Sequence, residues 1–261
     1  MKLNVQSEEL KGLTNDRTLP RRIADLLITR IFIGELKPGD RLPPERALAE
    51  QLGVDRTSLR SAINQLASMN VVRPVRGSGI EVLDYREHAG LDFLSTVFAI
   101  EGLELGSAFY LELLDGWIDL MTEIIARAMK RATPSDLALQ DAFFARQFEL
   151  LDAGSSIEEV AEMEVALQDA LVTSVGSTVL RLLANSTRGL RKRLVQMFFE
   201  TIDVRGYITW EREFGRQVIA GTVEHHELEA RYRSYLLDRT RALREDIARL
   251  PANPCTNNCD G

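Results

Sequence analysis

The most constraining feature of this chain is a pair of short amphipathic patterns joined by a two-residue turn. The first pattern runs from Pro44 to Leu52, and Gly53-Val54 leaves room only for a tight connection. The second runs from Arg56 to Met69, and the carboxylate of Asp55 can accept from the otherwise unpaired amides of its first turn. With a further amphipathic pattern over residues 20–33, these elements predict a helix-turn-helix.

The helix predicted over Arg56–Met69 has two chemically different faces. Its apolar residues recur at i, i+3 and i+4 and should pack on the preceding helices; they are Leu59, Ala62, Ile63, Leu66 and Met69. Arg56, Thr57 and Arg60 lie on the opposite side. An arginine there can read guanine edges in the major groove of DNA, and the hydroxyls of Thr57 and Ser58 lie beside free amides that can hold a phosphate oxygen. A solvated basic face is the alternative interpretation of this pattern.

A short β-hairpin is predicted directly after this helix. Two β-branched runs, Val71–Val75 and Ile80–Leu83, flank the turn Arg76-Gly77-Ser78-Gly79. Such a hairpin can serve as a wing, with a backbone that approaches the minor groove closely. A nucleotide-binding loop is disfavoured because the glycines lie between strands and open no helix.

The segment LPPERALAEQLGVDRTSLRSAINQLASMNVVRPVRGSGIEV, Leu42 to Val82, resembles the DNA-binding domain of the GntR family of bacterial transcription regulators. The resemblance implies a winged helix that binds a palindromic operator as a homodimer. Asp55 departs from the Ser or Thr that is frequent there, so we expect a helix cap without a phosphate contact. The DNA-binding positions that the resemblance implies are Arg46, Arg56, Thr57, Ser58, Arg60, Arg76, Gly77, Ser78 and Gly79.

The rest of the chain reads as successive amphipathic helices separated by turn and cap residues. They are predicted over residues 87–99, 103–131, 135–152, 156–174, 177–200, 204–220 and 223–249. A mostly α protein follows: a flexible segment 1–16, a winged helix-turn-helix domain 17–84, an all-α bundle 85–250 and a disordered tail 251–261. The bundle resembles the effector-binding and dimerisation domains of the FadR subfamily of GntR regulators.

Most members of that subfamily bind a divalent metal through an aspartate and three histidines. This chain has only His88, His225 and His226, and Glu164 and Gln168 stand where the subfamily has an aspartate and a histidine. Glutamine replaces imidazole poorly as a transition-metal ligand. His225 and His226 are expected to be exposed in a first helical turn, and we predict neither a metal nor a cofactor.

The resemblance to metal-free members implies a fatty-acyl-CoA or related lipid effector. A small carboxylate effector, and a constitutive DNA-binding protein whose bundle only dimerises, remain alternatives. The candidate effector-binding residues are Arg188, Arg191, Tyr232 and Tyr235. Further candidates are Arg181, Lys192, Phe198 and Phe199. For the cations the alternative is a solvated basic stripe, and for the aromatic residues it is core packing.

Charge is distributed unevenly along the chain. Residues 1–83 hold 13 Lys and Arg against 10 Asp and Glu, or +3, whereas residues 84–261 hold 19 against 29, or −10. A basic first domain suits DNA, since neutralised phosphates supply much of the affinity. An enzyme based on acid pairs such as Glu162/Glu164 or Asp115/Asp119 is disfavoured because such pairs usually face solvent.

Location and redox state are also constrained. The sequence shows neither a signal peptide nor the roughly 20 apolar residues of a membrane span, so we expect a cytoplasmic protein. Its two cysteines, Cys255 and Cys259, lie in the polar tail, and we expect no disulfide that stabilises the core. Together with the predicted winged helix-turn-helix, these features predict a transcription regulator, either a repressor or an activator, rather than an enzyme.

Overall fold

The computed structural model describes residues 18–224 and 226–252. The described chain divides into two compact units, one ending at Leu105 and the other spanning Gly106–Ala252. The predictions for residues 1–16, for His225 and for the tail with Cys255 and Cys259 lie outside the described residues. In the described part of the chain, no helix is long and apolar enough to cross a membrane.

The first unit contains a three-helix arrangement, a small sheet and two short helices. Its elements in chain order are α1 (Leu19–Phe32), β1 (Arg41–Leu42), α2 (Glu45–Leu52), α3 (Arg56–Ser68), β2 (Val72–Val75), β3 (Gly79–Val82), α4 (Tyr85–His88) and α5 (Leu91–Phe98). The helix-turn-helix and hairpin are confirmed. Gly53 ends α2 in the left-handed conformation, with φ of 65°, which permits the tight turn.

Burial follows the predicted face of α3. Leu59, Ala62, Ile63 and Leu66 are fully buried, and Met69, just after the helix, is 4% exposed. α3 packs mainly on α1, whose Ile23, Leu27 and Ile31 are also buried. The unit therefore has its own apolar core.

The sheet has one strand more than predicted. β1, too short to show a periodic pattern, pairs antiparallel with β3, so that the strand order is β1-β3-β2. Leu42 lies opposite Ile80, and Val72 lies opposite Val82. β1 leads directly into α2, so the sheet joins the helix-turn-helix to the hairpin.

The second unit is entirely helical over its described residues. Its helices are α6 (Ser107–Met129), α7 (Pro134–Asp152), α8 (Ile157–Val175), α9 (Thr178–Ser186), α10 (Arg188–Phe199), α11 (Val204–Ile219), α12 (Leu228–Arg239) and α13 (Arg241–Ala248). The mostly α architecture with a winged helix and a helical bundle is thus confirmed. Capping boxes begin α7 and α8, at Thr133 and Ser156.

Three predicted helices are wrong in their continuity. The helix over 87–99 is interrupted at Ala89-Gly90 and becomes α4 and α5. The helix over 177–200 divides at Thr187, and the helix over 223–249 begins only at Leu228 and divides at Thr240. Both threonine hydroxyls donate to carbonyls of the preceding turn, a bond that competes with the helical ladder and bends the chain.

Candidate nucleic-acid interface and cavity of the second unit

The solvent-facing side of α3 presents free cations. Arg56, Thr57 and Arg60 are exposed, and Arg56 and Arg60 lie one helical turn apart. Neither arginine has an ion-pair partner within residues 18–224 and 226–252. Because the opposite face of α3 is anchored in the core, both guanidinium groups project from a rigid helix.

Asp55 caps the beginning of α3, as predicted. Its Oδ1 accepts from the backbone amide of Ser58 at 2.8 Å, and hydrogen bonds from Ser58 hold the pKa of Asp55 below its usual value. Asp55 therefore remains ionised under ordinary conditions, and its carboxylate is occupied by the helix. Ser58 itself is half-buried, and Thr57 is more exposed.

Arg46 extends the basic surface on α2. Its side chain is 78% exposed, and its Nε donates to Glu50 Oε1 at 3.2 Å, one turn further along the helix. Exposed i, i+4 pairs of this kind contribute only about 0.3–0.5 kcal/mol, so a phosphate can displace Glu50 at little cost.

The wing tip consists of Arg76, Gly77 and Ser78, all exposed. Gly77 has φ of 75°, and a Cβ there would meet nothing within 4 Å, so the tip is open. Gly79 is different. Its φ is 93°, and a Cβ would lie 2.2 Å from the carbonyl oxygen of Leu42, so this glycine is required by the β1–β3 contact as well as by the turn.

Arg41 on β1 and Arg73 on β2 form side-chain contacts with residues of the wing. Arg41 donates to the Ser78 hydroxyl, and Arg73 Nη2 contacts Glu81 Oε2 at 2.8 Å. Arg76 has no such partner among the described residues and stays available at the tip.

In the second unit, a buried polar network links α7, α8 and α10. Gln147 donates to Glu164 at 3.0 Å, Gln168 donates to the same carboxylate at 3.4 Å, and Arg191 donates to Gln168 Oε1 at 3.1 Å. Arg191 also contacts Asp169 and the carbonyl of Ala184. Burial raises the pKa of Glu164, which contradicts the expectation that the acid pair Glu162/Glu164 faces solvent.

A second buried carboxyl lies on α11. Glu211 Oε1 accepts from the hydroxyls of Tyr207 and Tyr232, each at 2.6 Å. Burial, and then the negative charge of Glu164, raise the pKa of Glu211 to about 8. Glu211 is therefore mostly protonated and uncharged at pH 7.

A small cavity of about 30 Å³ lies beside Glu211. The wall is mainly apolar, with the polar groups of Glu211, Tyr232 and Gln140 as exceptions. The apolar residues of the wall include Ile125, Met129, Phe144, Leu167, Leu171 and Phe214. This arrangement, an apolar space with a few converging polar groups, is typical of small-ligand pockets.

The candidate effector residues fall in different places. Tyr232 lines the cavity, whereas Tyr235 stacks on Trp210 with ring centroids 3.4 Å apart. Arg188 contacts Glu162 at 2.7 Å, and Arg191 contacts Asp169 at 2.5 Å. Of the further candidates, Lys192 contacts Glu158 and Glu162, Arg181 is exposed on α9, and Phe198 and Phe199 pack in the core against Tyr207.

A divalent metal does not fit the donors around Glu164. The oxygen of Gln168 accepts from the Arg191 guanidinium, and its nitrogen donates to Glu164, so a cation and an amide already occupy these groups. Over residues 18–224 and 226–252, no three His, Cys, Asp or Glu side chains group closely enough to hold an ion. His88 and His226 are exposed, and His226 lies in the turn before α12 rather than in a first helical turn.

Sequence reasoning missed Glu211, Tyr207 and Gln147. The apolar stripe of α11 includes Tyr207, Ile208, Phe214 and Val218 at helical spacing, and Glu211 falls on the same stripe. An acid at a core position of an amphipathic helix was the available signal.

A helix-turn-helix followed by a wing, with exposed cations on its second helix, defines a winged helix-turn-helix DNA-binding protein. The family model of the bacterial regulatory proteins of the gntR family matches residues 19–82, from the first residue of α1 to the last of β3.

Curated relatives extend the likeness into the second unit. The chain is 33% identical over 174 residues to the HTH-type transcriptional regulator Mce2R of Mycobacterium tuberculosis, covering 66% of this chain and 70% of the relative. It is 29% identical over 190 residues to the fatty acid metabolism regulator protein of Shewanella halifaxensis, covering 71% and 75%. The solved structure of Lar, which controls the expression of the Listeria monocytogenes agr system, shares the fold, with a TM-score of 0.54 and 18% identity over 91% of this chain and 100% of Lar.

The chain belongs to the gntR family of bacterial regulatory proteins, and its relatives make it a FadR-like member. These relatives are transcription regulators rather than enzymes. The predicted family is thus confirmed.

Proposed function

We propose that this protein binds a palindromic operator as a homodimer and that a fatty-acyl-CoA or related lipid metabolite changes its affinity for that operator. The observation that carries the DNA-binding part is the pair of exposed arginines on α3, Arg56 and Arg60, which form no ion pair with any described residue and lie in the same unit as an open wing. α3 enters the major groove and reads a few base pairs, and the tip around Arg76 follows the adjacent groove or its phosphates.

A homodimer is supported by the small reading surface of one unit. One helix and one wing contact few base pairs, and two copies related by twofold symmetry double the contacts on a palindrome. Of the remaining interface residues, Arg46, Thr57, Gly77, Ser78 and Gly79 contact phosphates through side chains or backbone amides, and Ser58 lies beside them with its amide bonded to Asp55.

Operator titration at fixed salt tests this interface. Arg56→Ala and Arg60→Ala should each cost about 1–3 kcal/mol of binding and relax base preference at the position read. Arg76→Ala should also weaken binding. Arg146→Ala, which removes an exposed cation of the second unit, should leave affinity unchanged. Unchanged affinity in both α3 variants would refute the assignment of α3 as the recognition helix.

The effector part is supported by the cavity and by the name of the Shewanella relative. A raised pKa keeps Glu211 uncharged at neutral pH, so the cavity wall suits an apolar chain. The cavity itself, at about 30 Å³, has room for little more than one water molecule, so an acyl chain can enter only if the surrounding side chains move apart. The proposal therefore expects a dependence on chain length, since each buried CH₂ contributes about 0.8 kcal/mol until the space is filled.

Titration of an operator complex with acyl-CoA of graded chain length tests the effector, with free CoA as the control. We expect operator affinity to change with chain length, and operator binding must change acyl-CoA affinity by the same factor. If no chain length has an effect at micromolar ligand, this effector is wrong, while the DNA-binding assignment stands.

A further inference from the structure

Three of the four cations proposed from sequence for an anionic effector, Arg188, Arg191 and Lys192, are already engaged in ion pairs. Arg188 and Lys192 both contact Glu162, at 2.7 and 3.3 Å, and Arg191 contacts Asp169. Hydrogen bonds from Arg188 lower the pKa of Glu162, so the acid stays ionised and keeps its ion pairs with Arg188 and Lys192. An anion at α10 would have to displace these carboxylates.

A different set of cations surrounds an open space. The C-terminal part of α6 and the turn between α8 and α9 form a cleft of about 480 Å³, open to solvent. Its lining consists of Arg127, Lys130, Arg131 and the turn Val175-Gly176-Ser177. Three of these six residues are cationic, and none of the described residues that line the cleft is acidic.

The three cations are held to different degrees. Arg127 donates to Glu123 one turn back along α6, and both side chains are largely exposed. Arg131 Nη1 donates to the carbonyl oxygen of Val175 at 3.3 Å, which ties the end of α6 to the end of α8. Lys130 is exposed and has no ion-pair partner within the described ranges, so its ammonium is available.

Backbone polarity adds to this positive surface. Gly176, with φ of 74°, ends α8, and Ser177 caps the nine-residue helix α9 by accepting from the amide of Leu180. The first amides of α9 therefore open on the same turn that lines the cleft, where a helix N-terminus favours an anion. The side-chain cations and the helix end act in the same direction.

We propose that the cleft formed by Arg127, Lys130, Arg131 and the α8–α9 turn binds the phosphate groups of a phosphorylated ligand. Phosphate matches the site better than a single carboxylate because it carries more charge and more acceptor oxygens than one cation can satisfy. Two guanidinium forks and one ammonium can contact a phosphate or diphosphate from different sides.

The cleft and the apolar cavity are built on the same two helices. Leu171 of α8 lines the cavity, and Val175, four residues and about 6 Å further along that helix, lines the cleft. On α6, Met129 lines the cavity, and its neighbour Lys130 lines the cleft. An amphipathic ligand with an apolar chain and a phosphorylated head thus matches both; this extension, unlike the anion site itself, rests on the proposed effector function.

Calorimetric titration of the full-length protein at matched ionic strength tests the anion site. The probes are pyrophosphate, free CoA and, as a weakly charged comparison, acetate. We expect saturable binding of pyrophosphate and CoA but not of acetate, and we expect Arg127→Gln with Lys130→Gln to weaken pyrophosphate binding about tenfold. Both residues are exposed, and an unchanged melting temperature verifies that the variant is folded.

Arg146→Gln is the matched control, because Arg146 also forms an exposed pair with an acid on its own helix, Glu149. It should bind pyrophosphate as the unmodified protein does. Absence of saturable pyrophosphate binding, or an equal loss in the control, would overturn the anion site. If pyrophosphate binds as expected but acyl-CoA leaves operator affinity unchanged, the effector proposal fails while the anion site stands. If acyl-CoA acts equally on the double variant, the anion site is not where the effector head binds.

Discussion

Replacement of Glu211 by Gln should remove a pH dependence of stability that its buried carboxyl creates. In the folded protein, burial and the neighbouring Glu164 raise the pKa of Glu211 from the usual 4.5 to about 8. The unfolded chain keeps a value near 4.5. Between pH 5 and pH 8 the folded state therefore holds a proton that the unfolded state has lost.

The sign and size of this pH dependence follow from the difference between the pKa of Glu211 in the folded and in the unfolded state. Since the folded state binds more protons, the free energy of unfolding falls as the pH rises through this window. The contribution of Glu211 is complete below about pH 4.5 and is lost above about pH 8. One proton corresponds to a slope of about 1.4 kcal/mol per pH unit, or about 4 kcal/mol between pH 5 and pH 8.

Urea unfolding at half-unit pH steps measures this slope. Both tryptophans, Trp117 and Trp210, lie in the second unit, so their fluorescence reports on the unit that contains Glu211. Glu211→Gln should reduce the slope by the contribution of one proton, while Glu164, whose pKa burial also raises, keeps its own contribution. The amide oxygen of the new side chain can still accept from the tyrosine hydroxyls. Glu213→Gln, an exposed acid on the same helix, is the control and should retain the slope. A flat profile in the unmodified protein, or a full slope in Glu211→Gln, would refute the reasoning.

Two further changes test the wing and the polar network. Gly79→Ala should destabilise the first unit by about 2 kcal/mol or more, because the new Cβ would collide with the carbonyl of Leu42. Gly77→Ala should cost only about 1–2 kcal/mol, the strain of a left-handed backbone. Hydrogen exchange of the sheet amides compares the two variants, and equal losses of stability would contradict this account. Exhaustive chelation should leave melting temperature and operator affinity unchanged, because the Arg191 guanidinium bonds to Gln168 where a metal would need a ligand; stoichiometric zinc, nickel or manganese in the purified protein would contradict it.

Local signals in the sequence were sufficient to predict the helices and the tight turn of the first unit. Asp55 as a cap, Gly53 at a left-handed position and the apolar spacing of α3 each specify one conformation through short-range chemistry, and the structure has all three. β1 could not be predicted, because two residues carry no periodicity and the strand exists only through its pairing with β3.

The second unit was predictable in class but not in detail. Breaks at Gly154 and Gly176 were readable from the glycines, whereas the breaks at Thr187 and Thr240 depend on which carbonyl a threonine hydroxyl finds. The groups around Glu211 come from three helices, α8, α11 and α12, so spacing within one helix indicates that the acid is buried but not which groups face it.

β3 is the central strand of the sheet and is hydrogen-bonded to both β1 and β2, which limits the sequence changes that the wing can accept. A strand paired on both edges cannot shift by one residue without turning Ile80 and Val82 away from the core. Insertions and deletions in the hairpin are therefore confined to the tip, Arg76–Ser78. Divergence in operator preference through the wing must then come from side-chain replacement or tip length, while the separation between the strands and α3 stays constant.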